Sequence, residues 1–200
     1  NSEDRKKDAA QLKAKGIPTV FIDRDIGGDR ISIIKTENFS AGEKAGIEMA
    51  KALDGKGKIA LLRFNEDVVS TTAREKGFIK GASSGGLEIV VDQYIGTMVG
   101  EARSEAYRIL KASKGIDGIF TPNESTSLGV IKALERLNKA GKVVHIGFDA
   151  HKIMIESLNS QHIYGFIGQR PFQMGYQGVH TVYRAIHGKE INQKVTTAVV

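Results

Sequence analysis

Short apolar runs alternate with helical stretches along this chain, and four of the runs end abruptly on a polar side chain. Apolar runs separated by helices are typical of buried strands in parallel sheets. In open parallel sheets, ligands bind just beyond the carboxyl ends of the strands. The four runs are 18–22 ending on Asp23, 119–122 ending on Asn123, 143–148 ending on Asp149, and 163–168 ending on Gln169.

The alternation predicts an α/β protein with a doubly wound parallel sheet and right-handed crossovers. Leu128, Ile131 and Leu134 recur at helical spacing, so their helix is expected to lay an apolar stripe on the sheet. Strands are predicted at 18–23, 31–35, 57–63, 87–92, 117–122, 142–148, 163–168 and 195–200, with helices at 2–15, 40–53, 71–84, 101–113, 125–140, 151–158 and 173–187. Because the chain opens on Asn1 and a helix, we expect a start lost by processing or truncation.

Composition excludes several classes of function. The chain has 200 residues and a net charge of +6, and its lysines are scattered, which favours solvated helix faces over a nucleic-acid surface. It has no cysteine, and no apolar run of 18 residues that would span a membrane. Its five histidines lack metal-ligand spacing, and no phosphate-binding glycine motif follows a strand. We therefore predict no metal, no cofactor, no nucleic acid and no enzymatic activity.

The polar groups at and near the strand ends form the candidate site. Carboxylates accept hydrogen bonds from adjacent sugar hydroxyls, a guanidinium donates in a fork, and an amide does both, so the set matches a sugar. The six candidates are Asp23, Arg24, Arg74, Asn123, Asp149 and Gln169.

Each candidate also has a structural alternative. Asn123 and Asp149 precede predicted helices, so either one is a possible N-cap. Asp23 and Arg24 have the alternative of a local ion pair. The alternative for Arg74 is that it contacts only solvent. The alternative for Gln169 is that it is a loop amide whose hydrogen bonds are satisfied locally.

At these positions the chain resembles the type I periplasmic sugar-binding proteins of the ribose and galactose kind, which serve ABC importers or chemoreceptors. The resemblance runs over essentially the whole chain and is carried by residues 16–24, 74–78, 121–125, 147–149 and 169–176. The string Gln-Arg-Pro-Phe-Gln-Met-Gly-Tyr at 169–176 is its most specific part. In that family, residues matching the six candidates line a sugar cleft between two lobes. Some members also place a sugar-stacking aromatic after the strand at 87–92, where this chain has Gly96, Thr97 and Met98, with Tyr94 nearby as the only candidate.

The resemblance also implies a division into lobes. It predicts a remnant of the first lobe at 1–37 and 169–191, and a nearly complete second lobe at 38–168 and 192–200. The first strands of the family's first lobe are missing here, so the remnant is expected to expose apolar faces and a sheet edge. The segments are then expected either to be loosely tethered or to pair with another chain, self-association included.

The function implied is reversible capture of a sugar or related polyol in the cleft, with no chemistry, for a membrane ABC permease or a chemoreceptor. The implied location is the periplasm, or the extracellular face of a Gram-positive host with a lipid anchor. The alternative is the sugar-effector-binding core of a LacI-type transcription repressor, which has a similar fold and a DNA-binding headpiece upstream.

Overall fold

The computed structural model describes residues 2–200, so Asn1 of the predicted first-lobe segment lies outside the described residues. Helices and strands follow one another in the predicted order. The helices are α1 (Ser2–Ala14), α2 (Asn38–Ala52), α3 (Val69–Ser84), α4 (Val99–Ala112), α5 (Glu124–Arg136), α6 (Lys152–Asn159) and α7 (Pro171–Ile186). The strands are β1 (Val20–Ile22), β2 (Ser32–Thr36), β3 (Lys58–Arg63), β4 (Glu88–Tyr94), β5 (Gly118–Phe120), β6 (Val144–Phe148), β7 (Gly165–Ile167) and β8 (Lys194–Thr197).

Two units divide these elements. One contains the described residues up to Glu37 together with Gln169–Val200, and the other is the contiguous segment Asn38–Gly168. All strand pairs are parallel within the described residues, as the alternation of strands and helices predicts.

The contiguous unit is built on a five-stranded sheet of order β4-β3-β5-β6-β7. Alternate side chains of β3 and β5 point to opposite faces. Ala60, Leu62 and Ile119 pack with the apolar stripes of α4 and α5. On the other face, Phe120 stacks on Phe78 of α3, with ring centroids 4.2 Å apart. Covering helices on both faces make this a doubly wound sheet.

The other unit contains a three-stranded sheet of order β1-β2-β8. Strand β8 pairs with β2 in parallel, from Ile33 opposite Lys194 to Thr36 opposite Thr197. The prediction that residues 192–200 belong to the second lobe is therefore wrong. The backbone hydrogen bonds of β8 are made to the central strand of the discontinuous unit.

Candidate functional site

The order of the five-stranded sheet reverses at β3. Strand β4 pairs on one side of β3, and β5, the next strand in sequence, pairs on the other side. Such a switch point opens a crevice beyond the carboxyl ends of the two central strands. Three candidate residues follow strands at this edge: Arg74 on α3 after β3, Asn123 three residues after the end of β5, and Asp149 directly after β6.

Arg74 is only 3% exposed and is held on several sides. Its Nε donates to Asn38 Oδ1 at 2.8 Å, and its Nη1 donates to the carbonyl oxygen of Pro122 at 2.9 Å. The guanidinium lies 3.8 Å from the centre of the Phe148 ring. The alternative that Arg74 contacts only solvent is wrong, because α3 begins at Val69 and carries Arg74 into the protein.

Close packing of α2 against α3 fixes the backbone position from which the Arg74 side chain extends. A Cβ on Gly42 would overlap the carbonyl oxygen of Arg74, and a Cβ on Gly77 would overlap that of Phe39. At Gly46 a Cβ would lie 2.5 Å from both the Phe78 oxygen and the Ala82 nitrogen. Only glycine permits this approach of the two backbones, so these glycines set the depth of the guanidinium.

Asn123 is the N-cap of α5, as the structural alternative predicts. Its Oδ1 accepts from the Thr126 N–H at 3.2 Å and from the Thr126 hydroxyl at 2.6 Å. The side-chain amide nitrogen donates to Ser125 Oγ at 3.3 Å. The cap fixes the orientation of a half-buried amide at the crevice edge.

Asp149 is not the cap of the helix that follows it. Helix α6 begins at Lys152, and its cap is His151, whose Nδ1 accepts from the Ile153 N–H at 3.1 Å. Asp149 Oδ2 instead accepts from the Glu124 N–H at 3.1 Å. The carboxylate therefore lies at the N-terminus of α5, beside Asn123, where the helix dipole favours a negative charge.

The backbone at Asp149 is left-handed, with φ of 75°, and its N–H donates to the carbonyl oxygen of Ile167 at 2.9 Å. Asp23 in the discontinuous unit repeats this geometry. It follows β1, has φ of 71°, and donates its N–H to Ile34 O at 2.7 Å. Residues other than glycine in this conformation are uncommon and cluster at functional sites. The two aspartates are thus equivalent strand-end positions in the two units.

The discontinuous unit holds the other three candidates. Asp23 and Arg24 are exposed, and no ion pair joins them in the described part of the chain, so the alternative of a local ion pair is wrong. Gln169 is half-buried, and its Oε1 accepts from the hydroxyl of Thr36 at 2.7 Å. This hydrogen bond is the kind of contact that the alternative of a satisfied loop amide predicts for Gln169. Thr36 ends β2, next to the strand that Asp23 follows.

An ion-pair network at the ends of β3 and β4 escaped the sequence-based prediction. Arg63 Nη1 donates to Glu75 Oε2 at 2.9 Å, and the same guanidinium binds Asp92 through two nitrogens. Glu75 is fully buried and also accepts from the Phe64 N–H at 3.3 Å. Burial raises the pKa of Glu75, while the donors from Arg63 and Phe64 act in the opposite direction.

Tyr94, the aromatic that the resemblance points to for stacking on a sugar, lies beside this network. The ring of Tyr94 lies 5.8 Å from the Arg63 guanidinium and is about half exposed. The sequence offered two signals for this network: Arg63 lies directly before the loop 64–68, and Glu75 lies directly after Arg74. Neither position predicts an ion pair, because the charged partners are twelve or more positions apart in the sequence.

Two kinds of feature are absent from the part of the chain that the structure describes. Among residues 2–200, no group of three or more histidine or acidic side chains lies close enough to hold a metal ion. Among the described helices, none combines the length and the apolar character that crossing a membrane requires.

Fold and candidate site together define a class of protein, namely doubly wound α/β proteins with polar groups gathered at a switch point of the sheet. A sequence model of the periplasmic binding protein domain matches residues 8–190, and the chain belongs to that family. Its parallel sheets match the type I fold of such proteins, as the resemblance predicted.

Solved structures agree over nearly the whole chain. The periplasmic component of an ABC-type sugar transport system from Hahella chejuensis is 33% identical, with a TM-score of 0.90 over 98% of this chain and 73% of that one. An ABC transporter solute-binding protein from Agrobacterium vitis with bound D-fucose is 28% identical, with a TM-score of 0.88 over 96% of this chain and 68% of that one.

Among curated proteins, the ribose import binding protein of Haemophilus influenzae is 25% identical over 185 residues. The match includes 90% of this chain and 62% of the relative. The chain therefore spans about three fifths of the length of the curated relatives that it matches first.

Proposed function

We propose that this chain is the sugar-binding component of an ABC importer, which captures a sugar or related polyol reversibly and delivers it to a membrane permease. The observation that carries the proposal is the convergence of a buried guanidinium, a fixed amide and a helix-terminal carboxylate at the switch point. These belong to Arg74, Asn123 and Asp149.

The chemistry of the three groups supports a sugar. A carboxylate accepts from two adjacent hydroxyls, and charge-assisted hydrogen bonds of this kind are roughly twice as strong as neutral ones. A guanidinium donates in a fork, and an amide serves as donor and acceptor. Asp23, Arg24 and Gln169 carry the same kinds of groups, and we assign them a sugar-binding role as well.

The named relatives support transport over the alternatives. They are import or solute-binding proteins, which favours a periplasmic or extracellular binding protein over the core of a transcription repressor. The same names support binding without chemistry.

Thermal unfolding with a panel of pentoses, hexoses and polyols, including D-ribose and D-fucose, tests the proposal on protein expressed from its complete gene. A sugar at one hundred times its Kd stabilises the folded state by about 2.7 kcal/mol. In a protein of about 150–250 residues, that corresponds to a rise in Tm of about 5–10 °C. If no member of the panel raises Tm, the proposed function is wrong.

Asp149→Asn tests the site. Asparagine keeps an acceptor for the Glu124 N–H and tolerates a left-handed backbone, so Tm without sugar should change by no more than about 2 °C. The stabilisation by sugar should largely disappear, because hydrogen bonds to a charged group contribute about 1.5–3 kcal/mol. Asp54→Asn is the matched control, since Asp54 is an exposed aspartate with φ of 50° at the end of α2. Equal sugar responses in the two variants would exclude Asp149 from the site.

A further inference from the structure

Three buried polar side chains lie beneath the switch-point residues. Thr121, Ser127 and His145 have no exposed surface, and they lie at the carboxyl end of β5, on the first turns of α5 and within β6. They are joined in a chain, because Thr121 Oγ1 is 2.9 Å from Ser127 Oγ and 2.9 Å from His145 Nε2.

The hydroxyl of Ser127 connects the two strand ends. It donates to the carbonyl oxygen of Asn123 at 2.7 Å and accepts from the Phe148 N–H at 3.1 Å. Asn123 and the residue after Phe148, Asp149, are two of the three switch-point candidates. A Cβ on Gly147 would lie 2.9 Å from Ser127 Oγ, so glycine is what allows β6 to pass this close to the hydroxyl.

The number of available protons fixes the direction of every hydrogen bond that joins these three side chains. Ser127 has one hydroxyl proton, which goes to Asn123, so Thr121 must donate to Ser127. The single proton of Thr121 is then used, and Thr121 must accept from His145 Nε2–H. Donation therefore runs from His145 through Thr121 and Ser127 to the Asn123 carbonyl, and Ser127 uses its donor and both acceptor positions.

This arrangement has a cost. With its proton on Nε2, His145 leaves Nδ1 buried, and that nitrogen has no hydrogen-bond partner in the described part of the chain. Apolar side chains of similar shape would fill the same space without an unpaired buried acceptor, and replacements of that kind are nearly neutral or stabilising. Packing alone does not account for the three polar residues.

We propose that Thr121, Ser127 and His145 are positioning residues for the ligand site. Their hydrogen-bond chain holds the Asn123 carbonyl and the Phe148 amide at one spacing, and thereby sets the distance between the side chains of Asn123 and Asp149. The inference rests on the proposed sugar-binding function. None of the three positioning residues contacts the sugar in this proposal.

The test interrupts the hydrogen-bond chain while keeping the volume of the side chains nearly constant. Thr121→Val removes one hydroxyl with little change in volume, and Thr121→Ser restores it. Ser127→Ala removes the central group, and Ser157→Ala is its matched control, because Ser157 is a buried helical serine outside the chain. Kd is measured calorimetrically at 25 °C, on protein from the complete gene, with the sugar of the panel that raises the wild-type Tm most.

We expect Thr121→Val and Ser127→Ala to raise Kd tenfold or more. Thr121→Ser should return Kd to within about threefold of wild type, and Ser157→Ala should leave it unchanged. Wild-type affinity in both Thr121→Val and Ser127→Ala overturns the proposal. A rise in Kd that Thr121→Ser fails to reverse also overturns it, because the hydroxyl would then not be the operative group.

A second measurement needs no sugar and separates this proposal from the proposed function. Nitrogen NMR of the imidazole should show His145 protonated on Nε2 alone, and Thr121→Val should speed hydrogen exchange at the Phe148 amide at least tenfold relative to Ser157→Ala. A proton on Nδ1, or unchanged exchange at Phe148, contradicts the hydrogen-bond chain. If no sugar of the panel raises Tm but both signatures appear, the hydrogen-bond chain is present, and the proposed function is wrong together with the positioning role that rests on it.

Discussion

The close contact between α2 and α3 permits a test in which glycine-to-alanine substitution has opposite effects on the free energy of unfolding at two different positions. Replacing Gly46 with alanine places a Cβ 2.5 Å from Phe78 O and from Ala82 N, about 0.9 Å short of the 3.4 Å at which ordinary contact begins. Both atoms belong to the backbone of α3, so no flexible side chain can move away. The helices must separate, which also displaces the start of the Arg74 side chain.

The expected magnitude follows from two opposing contributions. Alanine in a helix interior is favoured over glycine by about 1 kcal/mol. Overpacking a tight contact costs about 1–3 kcal/mol, and more where backbone must move. We expect a net loss of about 2 kcal/mol for Gly46→Ala, or a fall in Tm of about 4–8 °C.

Gly100→Ala is the matched control. Gly100 lies in the first turn of α4, and a Cβ there meets nothing within 4 Å. Only the helix preference remains at this site, so the variant should gain about 0.5–1 kcal/mol. Urea unfolding without sugar measures both changes as shifts of the midpoint at constant slope. A Gly46→Ala variant as stable as Gly100→Ala would refute the role of the glycines in setting the depth of Arg74.

Two further predictions concern buried charge. Arg74→Met leaves Pro122 O and Asn38 Oδ1 without this donor, so the free energy of unfolding in urea should fall by about 2–4 kcal/mol. Lys80→Met, on the exposed face of α3, is the control and should lower it by less than about 1 kcal/mol. Equal losses would contradict the observed hydrogen bonds. Burial lowers the pKa of His145 to about 3 from an ordinary value of 6.5, so the unfolded chain binds more protons between these values. The free energy of unfolding should therefore fall as pH is lowered from 6.5 towards 3, by up to about 1.4 kcal/mol per pH unit from this group alone. His145→Gln should remove that part of the slope, and an unchanged slope would show that His145 is accessible to protons.

Local pattern in the sequence was sufficient to predict the strand ends. An apolar run followed by a polar residue marks the carboxyl end of a buried strand, because burial ends where the chain leaves the sheet. Asp23 and Asp149 were predicted at such ends and directly follow β1 and β6, whereas β5 ends at Phe120, three residues before Asn123. The capping role of Asn123 is also local, since its partner Thr126 is three residues away.

The remaining features depend on contacts between distant segments. Asp149 was a reasonable N-cap from the sequence, but its left-handed backbone turns the chain, and its carboxylate binds an amide 25 positions earlier. The burial of Arg74 depends on glycines of another helix. Strand β8 is short and alternates in burial, and nothing in its own residues shows that its partner is β2.

The pairing of β2 with β8 has a consequence for synthesis on the ribosome. The contiguous unit Asn38–Gly168 has all its residues once Gly168 has been made, whereas the sheet of the other unit lacks a strand until Thr197 has been added. At about 5–20 residues per second, β2 waits roughly 8 to 30 seconds for β8. During that interval Ile33 and Ile34, both buried in the finished protein, belong to a strand with one open edge. Until β8 is made, the unpaired edge of β2 is therefore a place where the nascent chain can pair with a strand of another chain.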